Sequence, residues 1–270
     1  MPWSYTRNND TELCITHNGG FFSCCNIKLH EIVFFFNAHK KLPLIVDSSE
    51  QFASYKINKS TNDITFHYFE DKEDKTGFSF TQPIEFNQNY QFRNYANIRY
   101  STITPFISKY FSPSAEINNK IMFLTGKYNM DYGNTCVLFY RGNDKNRETR
   151  ICGYDEYVVH AQNMLQKYPG IKLWVQSDET EFIEKMLSEF PRDTFIMSDE
   201  IRHIKKCDST VDKMKNDIDK YSQFFFAITL IMSKCKIIMC GTGNCSLWLM
   251  LYRGGTENVY QNYNGKWLIH

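Results

Sequence analysis

From residue 136 onward, short apolar runs alternate with stretches of helical period, and each run stops at a polar or glycine-containing turn. Few folds accept that alternation. A strand, a crossover helix and a second, parallel strand form a right-handed unit, and repeating the unit gives a doubly wound α/β sheet. The runs are CVLFY (136–140), KLWVQ (172–176), TFIM (194–197) and KIIMC (236–240). Helices are expected from about Asp155 to Tyr168, from about Glu179 to Phe190, through 220–233, and over CSLWLMLYR (245–253). Such sheets bind ligands beyond the carboxyl ends of their strands, where this chain keeps its polar clusters.

A smaller version of the plan opens the chain. Leu13–Thr16 reads as a strand, Asn18, Gly19 and Gly20 as a tight turn, and Ser23 as the cap of a helix carrying Ile27, Leu29, Ile32, Val33 and Phe36. Pro43 follows, then a strand over LIVD (44–47), completing a βαβ unit. Strands are expected at 63–71 and 77–80 around the charged turn DKEDKT, and a helix after Ser112 with Pro113 in its first turn. The aromatic-rich stretch up to Phe106 has no clear period. The division expected is an N-terminal α/β domain over 1–125, a linker over 126–135 and a C-terminal α/β domain over 136–270.

Charge removes one class of function. Lys and Arg number 31 against 30 Asp and Glu, so the broad basic footprint of a nucleic-acid binder is missing, and no nucleic-acid partner is expected. The first residues carry no basic segment followed by an apolar run, and FFFAITLIM (224–232) is far short of the ~20 apolar residues of a membrane span. It reads as a buried helix. Nine cysteines, an odd count in mostly apolar company, read as reduced thiols in a cytoplasmic protein. Frequent Asn, Lys and Ile would suit an AT-rich genome, a microbe or a large virus.

The first candidate site follows the strand 136–140, where Arg141, Asp144, Lys145, Arg147 and Glu148 crowd into eight residues. A guanidinium fork at a strand end suits a pair of diphosphate oxygens, with Lys145 adding a point charge and Glu148 a base. A solvated turn with Asp144 paired to Arg147 would account for the same residues. The second is CGTGNCS, 240–246: Gly241, Thr242, Gly243, Asn244, Cys245 and Ser246 lead into a helix whose first N–H groups form an anion site. An ordinary tight connection has the same composition. Asp178, at the end of WVQSD, offers a carboxylate to a base or ribose, or caps the next helix. His17 with Asn18, Gly19, Gly20 and Phe21 could line the cleft from the other half. No His or Cys spacing suggests a metal site.

Read in order, the arginine followed by Asp and Lys, the helix YDEYVVHAQNML, the strand ending in Ser-Asp and the small-residue turn resemble the α1,6- and protein-O-fucosyltransferases. The resemblance covers roughly 136–252, with an echo at 13–47. It implies a GT-B-like arrangement, two Rossmann-like domains with mainly parallel sheets facing a cleft. It also implies a metal-independent glycosyltransferase without a cofactor, taking a nucleotide-sugar donor, with fucose from GDP-fucose the first expectation, and a glycan acceptor. Carried over, Arg141 holds the diphosphate, Asp144 and Lys145 accompany it, Asp178 contacts the nucleoside, and Glu148 matches loosely a catalytic acid. The sequence differs from the family in carrying Phe139 two residues before the arginine, in place of a histidine. It also has an apolar run around Ile228 where the family has an acidic residue. Competing expectations are the same fold with a UDP-sugar, a non-catalytic nucleotide-sugar-binding module, and an epimerase or dehydrogenase, which HNGGFF disfavours because it is not G-x-G-x-x-G.

Overall fold

The computed structural model describes residues 5–56, 65–70, 72, 78, 80, 82–197, 203–211 and 218–270. Its largest element is a six-stranded, mostly parallel sheet in the second half. The strands are β6 (Thr135–Tyr140), β7 (Lys172–Ser177), β8 (Thr194–Phe195), β9 (Ile237–Cys240), β10 (Val259–Tyr263) and β11 (Lys266–Ile269). Their order is β11-β10-β9-β6-β7-β8, parallel throughout except for the antiparallel β10–β11 hairpin. The chain therefore starts in the middle, runs outward through β7 and β8, then returns to lay β9 on the other side of β6. That reversal between β6 and β9 opens a crevice above their carboxyl ends.

The helices expected here form as α5 (Tyr154–Lys167), α6 (Thr180–Glu189), α7 (Ile218–Lys234) and α8 (Asn244–Arg253). Their sequences repeat apolar residues at helical spacing, and Tyr157, Val158, Ala161 and Met164 supply the buried face of α5. The apolar run of α7 is buried, with Phe226, Ala227, Ile228, Ile231 and Met232 fully enclosed. Among the described residues, no helix is long and apolar enough to cross a membrane.

In the first half, β1 (Tyr5–Asn8) pairs antiparallel with β2 (Glu12–Thr16), and β2 pairs parallel with β3 (Ile45–Asp47) across α1 (Phe21–His39). The βαβ unit is thus present, but its helix begins earlier than expected. Gly20 is the N-cap, and Ser23 lies inside the first turn. Next come α2 (Thr65–Tyr68) and the two-residue strand β4 (Phe69–Glu70), paired with β5 (Ser112–Pro113). The strands expected at 63–71 and 77–80 fall partly outside the described residues; Thr65–Tyr68 is helical instead. Ser112 and Pro113 belong to β5, so α4 (Ala115–Lys127) is capped by Ser114, whose Oγ accepts from Ile117 N at 3.3 Å. The helix α3 (Tyr100–Tyr110) occupies part of the aromatic stretch that shows no period. The stretch 126–135 contains the end of α4, a short 3₁₀ turn at Tyr132–Asn134 and the first residue of β6.

Aromatic packing joins the two halves. Phe22 of α1 stacks on Trp248 of α8 at 6.0 Å, and Phe21 meets Phe226 of α7 at 5.5 Å. Phe111, just after α3, lies edge-on to Trp248 at 4.8 Å. Residues that begin α1 are therefore held beside the helix that follows β9, which brings the Asn18–Gly20 turn to the mouth of the crevice.

Candidate functional site

A cavity of about 670 Å³ occupies the crevice. Its lining contains Arg141, Asp144, Lys145 and Glu148 from the turn after β6, Asp178 from the end of β7, and Thr242, Gly243, Asn244, Cys245 and Ser246 from the turn after β9. Asn18, Gly19, Gly20 and Phe21 close it from the first half. The topology explains the convergence. Phe139 is in register with Cys240 and with Gln176, so the two turns and Asp178 leave the sheet at one level. Of the residues singled out from sequence, His17 and Gly241 do not line the cavity; His17 reaches its wall through Ser23, with Nε2 3.0 Å from Oγ.

Arg141 is tightly held. Its guanidinium donates to the Asp178 carboxylate and lies 3.5 Å from Asp144. The other oxygen of Asp178 accepts from Gly142 N at 2.9 Å. Both oxygens of Asp178 are thus engaged within the chain, and its visible role is to orient Arg141. Burial alone would lower the arginine's pKa, but the neighbouring carboxylates, Asp178 foremost, outweigh it and hold the charge firmly in place. Asp144 does not pair with Arg147, which instead reaches Asp208 at 3.2 Å.

The turn after β6 is braced from beneath by Glu179, which is fully buried. Its carboxylate accepts from Asn143 N and from the Tyr154 hydroxyl. A β-carbon on Gly142 would collide with that carboxylate, so the turn needs glycine here for close approach. Asn143, at φ 42°, donates to Asp178 O at 2.8 Å and accepts from Cys207 N at 2.9 Å. That contact anchors the segment 203–211, whose Thr210 and Val211 form another part of the wall.

Lys145 is nearly buried, and its ammonium pairs with the half-exposed Glu148. It also lies 5.5 Å from the centre of the Phe92 ring. Gly243, at φ 154°, is pressed against it: a β-carbon there would come within 2.7 Å of Lys145 Cε. The next three residues, Asn244, Cys245 and Ser246, begin α8, and Leu247 N donates to Gly243 O at 2.9 Å. Their N–H groups form the positive end of a helix dipole beside two cations. Two cations nonetheless share the cavity with three carboxylates, Asp144, Glu148 and Asp178. Attraction for an anion therefore rests on directed donors rather than on net charge.

No protein-family model and no curated protein matches the chain. Among solved structures, it is similar to the NodZ alpha-1,6-fucosyltransferase soaked with GDP-fucose, with a TM-score of 0.37 and 12% sequence identity. The match covers 63% of this chain and 53% of that one, so the chain spans about half the length of that enzyme. What this chain does must be decided from the cavity's own residues.

Several of those residues have no local signal in the sequence. Tyr95 is buried 148 positions from Gly243, yet its hydroxyl accepts from Gly243 N at 2.9 Å and donates to Gly243 O at 3.0 Å. Burial raises its pKa well above the ordinary tyrosine value, so the hydroxyl stays protonated and keeps donating. Tyr95 is fixed in turn by Gln261, whose Oε1 accepts from Tyr95 N at 3.0 Å. Gln91, Phe92 and Gln176 also line the cavity. The Asn side chains that cap the 3₁₀ turns at Gln88–Phe92 and Tyr95–Asn97 are readable as turn signals, but nothing local says which way those turns face.

Proposed function

We propose that this chain binds a nucleoside-diphosphate sugar and transfers the sugar to a hydroxyl of a glycan acceptor. The observation that carries this reading is the convergence of Arg141, Lys145 and the start of α8 in one cavity, at the point where the strand order reverses. A guanidinium fork, an ammonium and three helix N–H groups suit two linked phosphates better than any neutral ligand. Fucose from GDP-fucose is the donor proposed first, with a UDP-sugar as the alternative. Residues 1–125 and 136–270 are proposed as the acceptor-side and donor-side domains around a linker at 126–135.

The acceptor oxygen would attack the anomeric carbon as the bond to the diphosphate breaks. Negative charge then grows on the leaving diphosphate, where Arg141, Lys145 and the α8 dipole stabilise it without reorganising. The acceptor's proton would pass to Glu148, or through Ser23 to His17. These fixed positive groups are sufficient for a metal-independent reaction, and no cofactor enters it.

A second reading has an observation of its own. Glu148 is spent on Lys145, which leaves this candidate base ion-paired rather than aimed at an acceptor. A module that binds the donor without transferring it would look the same. Titrating GDP and UDP by calorimetry, with and without EDTA, tests what the readings share. At least one nucleotide should bind equally well in both conditions; binding of both that disappears with the chelator would overturn metal independence. Release of free GDP or UDP from the sugar nucleotide in the presence of a glycan acceptor separates transferase from binding module.

A further inference from the structure

Three side-chain amides line the cavity on three separate elements: Gln91 in the turn before Tyr95, Gln176 near the end of β7, and Asn244 at the start of α8. Among the described residues, Gln91 Oε1, Gln176 Oε1 and Asn244 Oδ1 are shielded from solvent and have no hydrogen-bond partner. Gln176 as a whole is only 2% exposed. A buried acceptor left unmet is expensive, and native folds keep few of them. The amide of Asn18, on the same wall, is by contrast fully employed, donating to Glu50 O and accepting from Ala53 N, both at 2.9 Å. Other unmet polar atoms lie outside the cavity, among them those of Asn26, Gln51, Asn262, Trp174 and Trp248, while Asp144 Oδ1 within it faces the Arg141 guanidinium at 3.5 Å.

The three amides surround the cationic groups. Gln91 precedes Phe92, whose ring faces the Lys145 ammonium, and Asn244 follows Gly243, which touches the Lys145 side chain. Gln176 is in register with Phe139, two residues before Arg141 on the same face of the sheet. The amides and the cations thus line one cavity, on neighbouring parts of its wall. The unmet atoms are acceptors, which a sugar hydroxyl can meet by donating and an ionised carboxylate cannot.

We infer that Gln91, Gln176 and Asn244 bind the hydroxyls of the transferred sugar, and that this sugar is uncharged. The inference rests on the proposed nucleotide-sugar site and deepens it. The measurement is calorimetric affinity for GDP, UDP, GDP-fucose, GDP-mannose, UDP-glucose and UDP-glucuronate. It is made on the wild type and on Gln91→Leu, Gln176→Leu and Asn244→Leu, with melting temperature recorded for each.

At least one uncharged sugar nucleotide should bind about tenfold or more tightly than its parent diphosphate, while UDP-glucuronate gains nothing over UDP. Each substitution should remove about threefold to tenfold of that gain, and Gln91→Leu and Gln176→Leu should leave the affinity for the parent diphosphate intact. A gain that survives all three substitutions overturns the inference. So does an equal loss for the diphosphate, which would assign the amides to the base or the phosphates. Diphosphate binding with no gain from any sugar overturns the inference alone, whereas no binding of either diphosphate to the wild type removes the proposed function beneath it as well. Should Gln176→Leu fail to fold, the more exposed Gln91 carries the same comparison.

Discussion

Arg141 is the residue on which the donor site depends, and its setting changes what its removal should do. It is three-quarters buried and bonded to a buried aspartate rather than exposed at the strand end. Arg141→Ala should therefore cost affinity and stability together. Losing a charge-assisted fork on a diphosphate should weaken donor binding about tenfold or more. Stranding Asp178 should cost a further ~1–3 kcal/mol of folding stability, with Gly142 N as its remaining donor. Arg141→Lys keeps the charge, loses the fork and should recover only part of both. Affinity for GDP or UDP and the melting temperature of the two variants check this; unchanged affinity in a folded Arg141→Ala protein would end the diphosphate assignment. Lys145 and Arg147 make a paired comparison. Lys145 lines the cavity, while Arg147 is an exposed charge facing the exposed Asp208, a contact worth about 0–1 kcal/mol. Lys145→Ala should lower donor affinity clearly more than Arg147→Ala, and equal losses would remove Lys145 from the site.

Elements differ sharply in how far the sequence discloses them. The strands β6 to β9 and the helices α5 to α8 stand out because each carries its own period, and their alternation alone predicts parallel strands with turns gathered at one end. The Arg141 and Gly243 turns were legible for that reason, although their union in one cavity depends on the order β9-β6-β7, which no local pattern encodes. The C-terminal β10–β11 hairpin and the turns carrying Gln91, Phe92 and Tyr95 were not legible. Those turns are held by Asn caps and by contacts more than a hundred residues away, so the sequence around them looks merely aromatic. Tyr95 is the test at this scale. Its hydroxyl fixes both backbone groups of Gly243, whose φ of 154° is open to glycine and strained for other residues. Tyr95→Phe should leave the buried Gly243 N–H unmet while the carbonyl keeps its bond from Leu247 N, cost ~1–3 kcal/mol, and loosen the start of α8. Donor affinity should fall several-fold with it. A variant that loses stability but binds GDP or UDP unchanged would make Tyr95 a structural residue only.

At the scale of the whole molecule, the cavity exists because the two halves share one apolar core. Phe21 and Phe22 belong to the first half by sequence, but they pack on Phe225, Phe226 and Trp248 of the second. The chain should therefore behave as one cooperative unit. A single calorimetric unfolding transition is expected, and a bound nucleotide should raise it as a whole, by about 2.7 kcal/mol at a hundredfold excess over its dissociation constant. Phe22→Ala is the sharper measurement, since it empties a site shared by both halves without touching a cation. It should cost ~3–5 kcal/mol. Because the Asn18–Gly20 wall is carried on α1, loss of that packing should also weaken donor binding even where the protein remains folded. Two resolved transitions, with only the upper or lower one moving when GDP or UDP is added, would show that the halves unfold separately and that the shared core does not couple them.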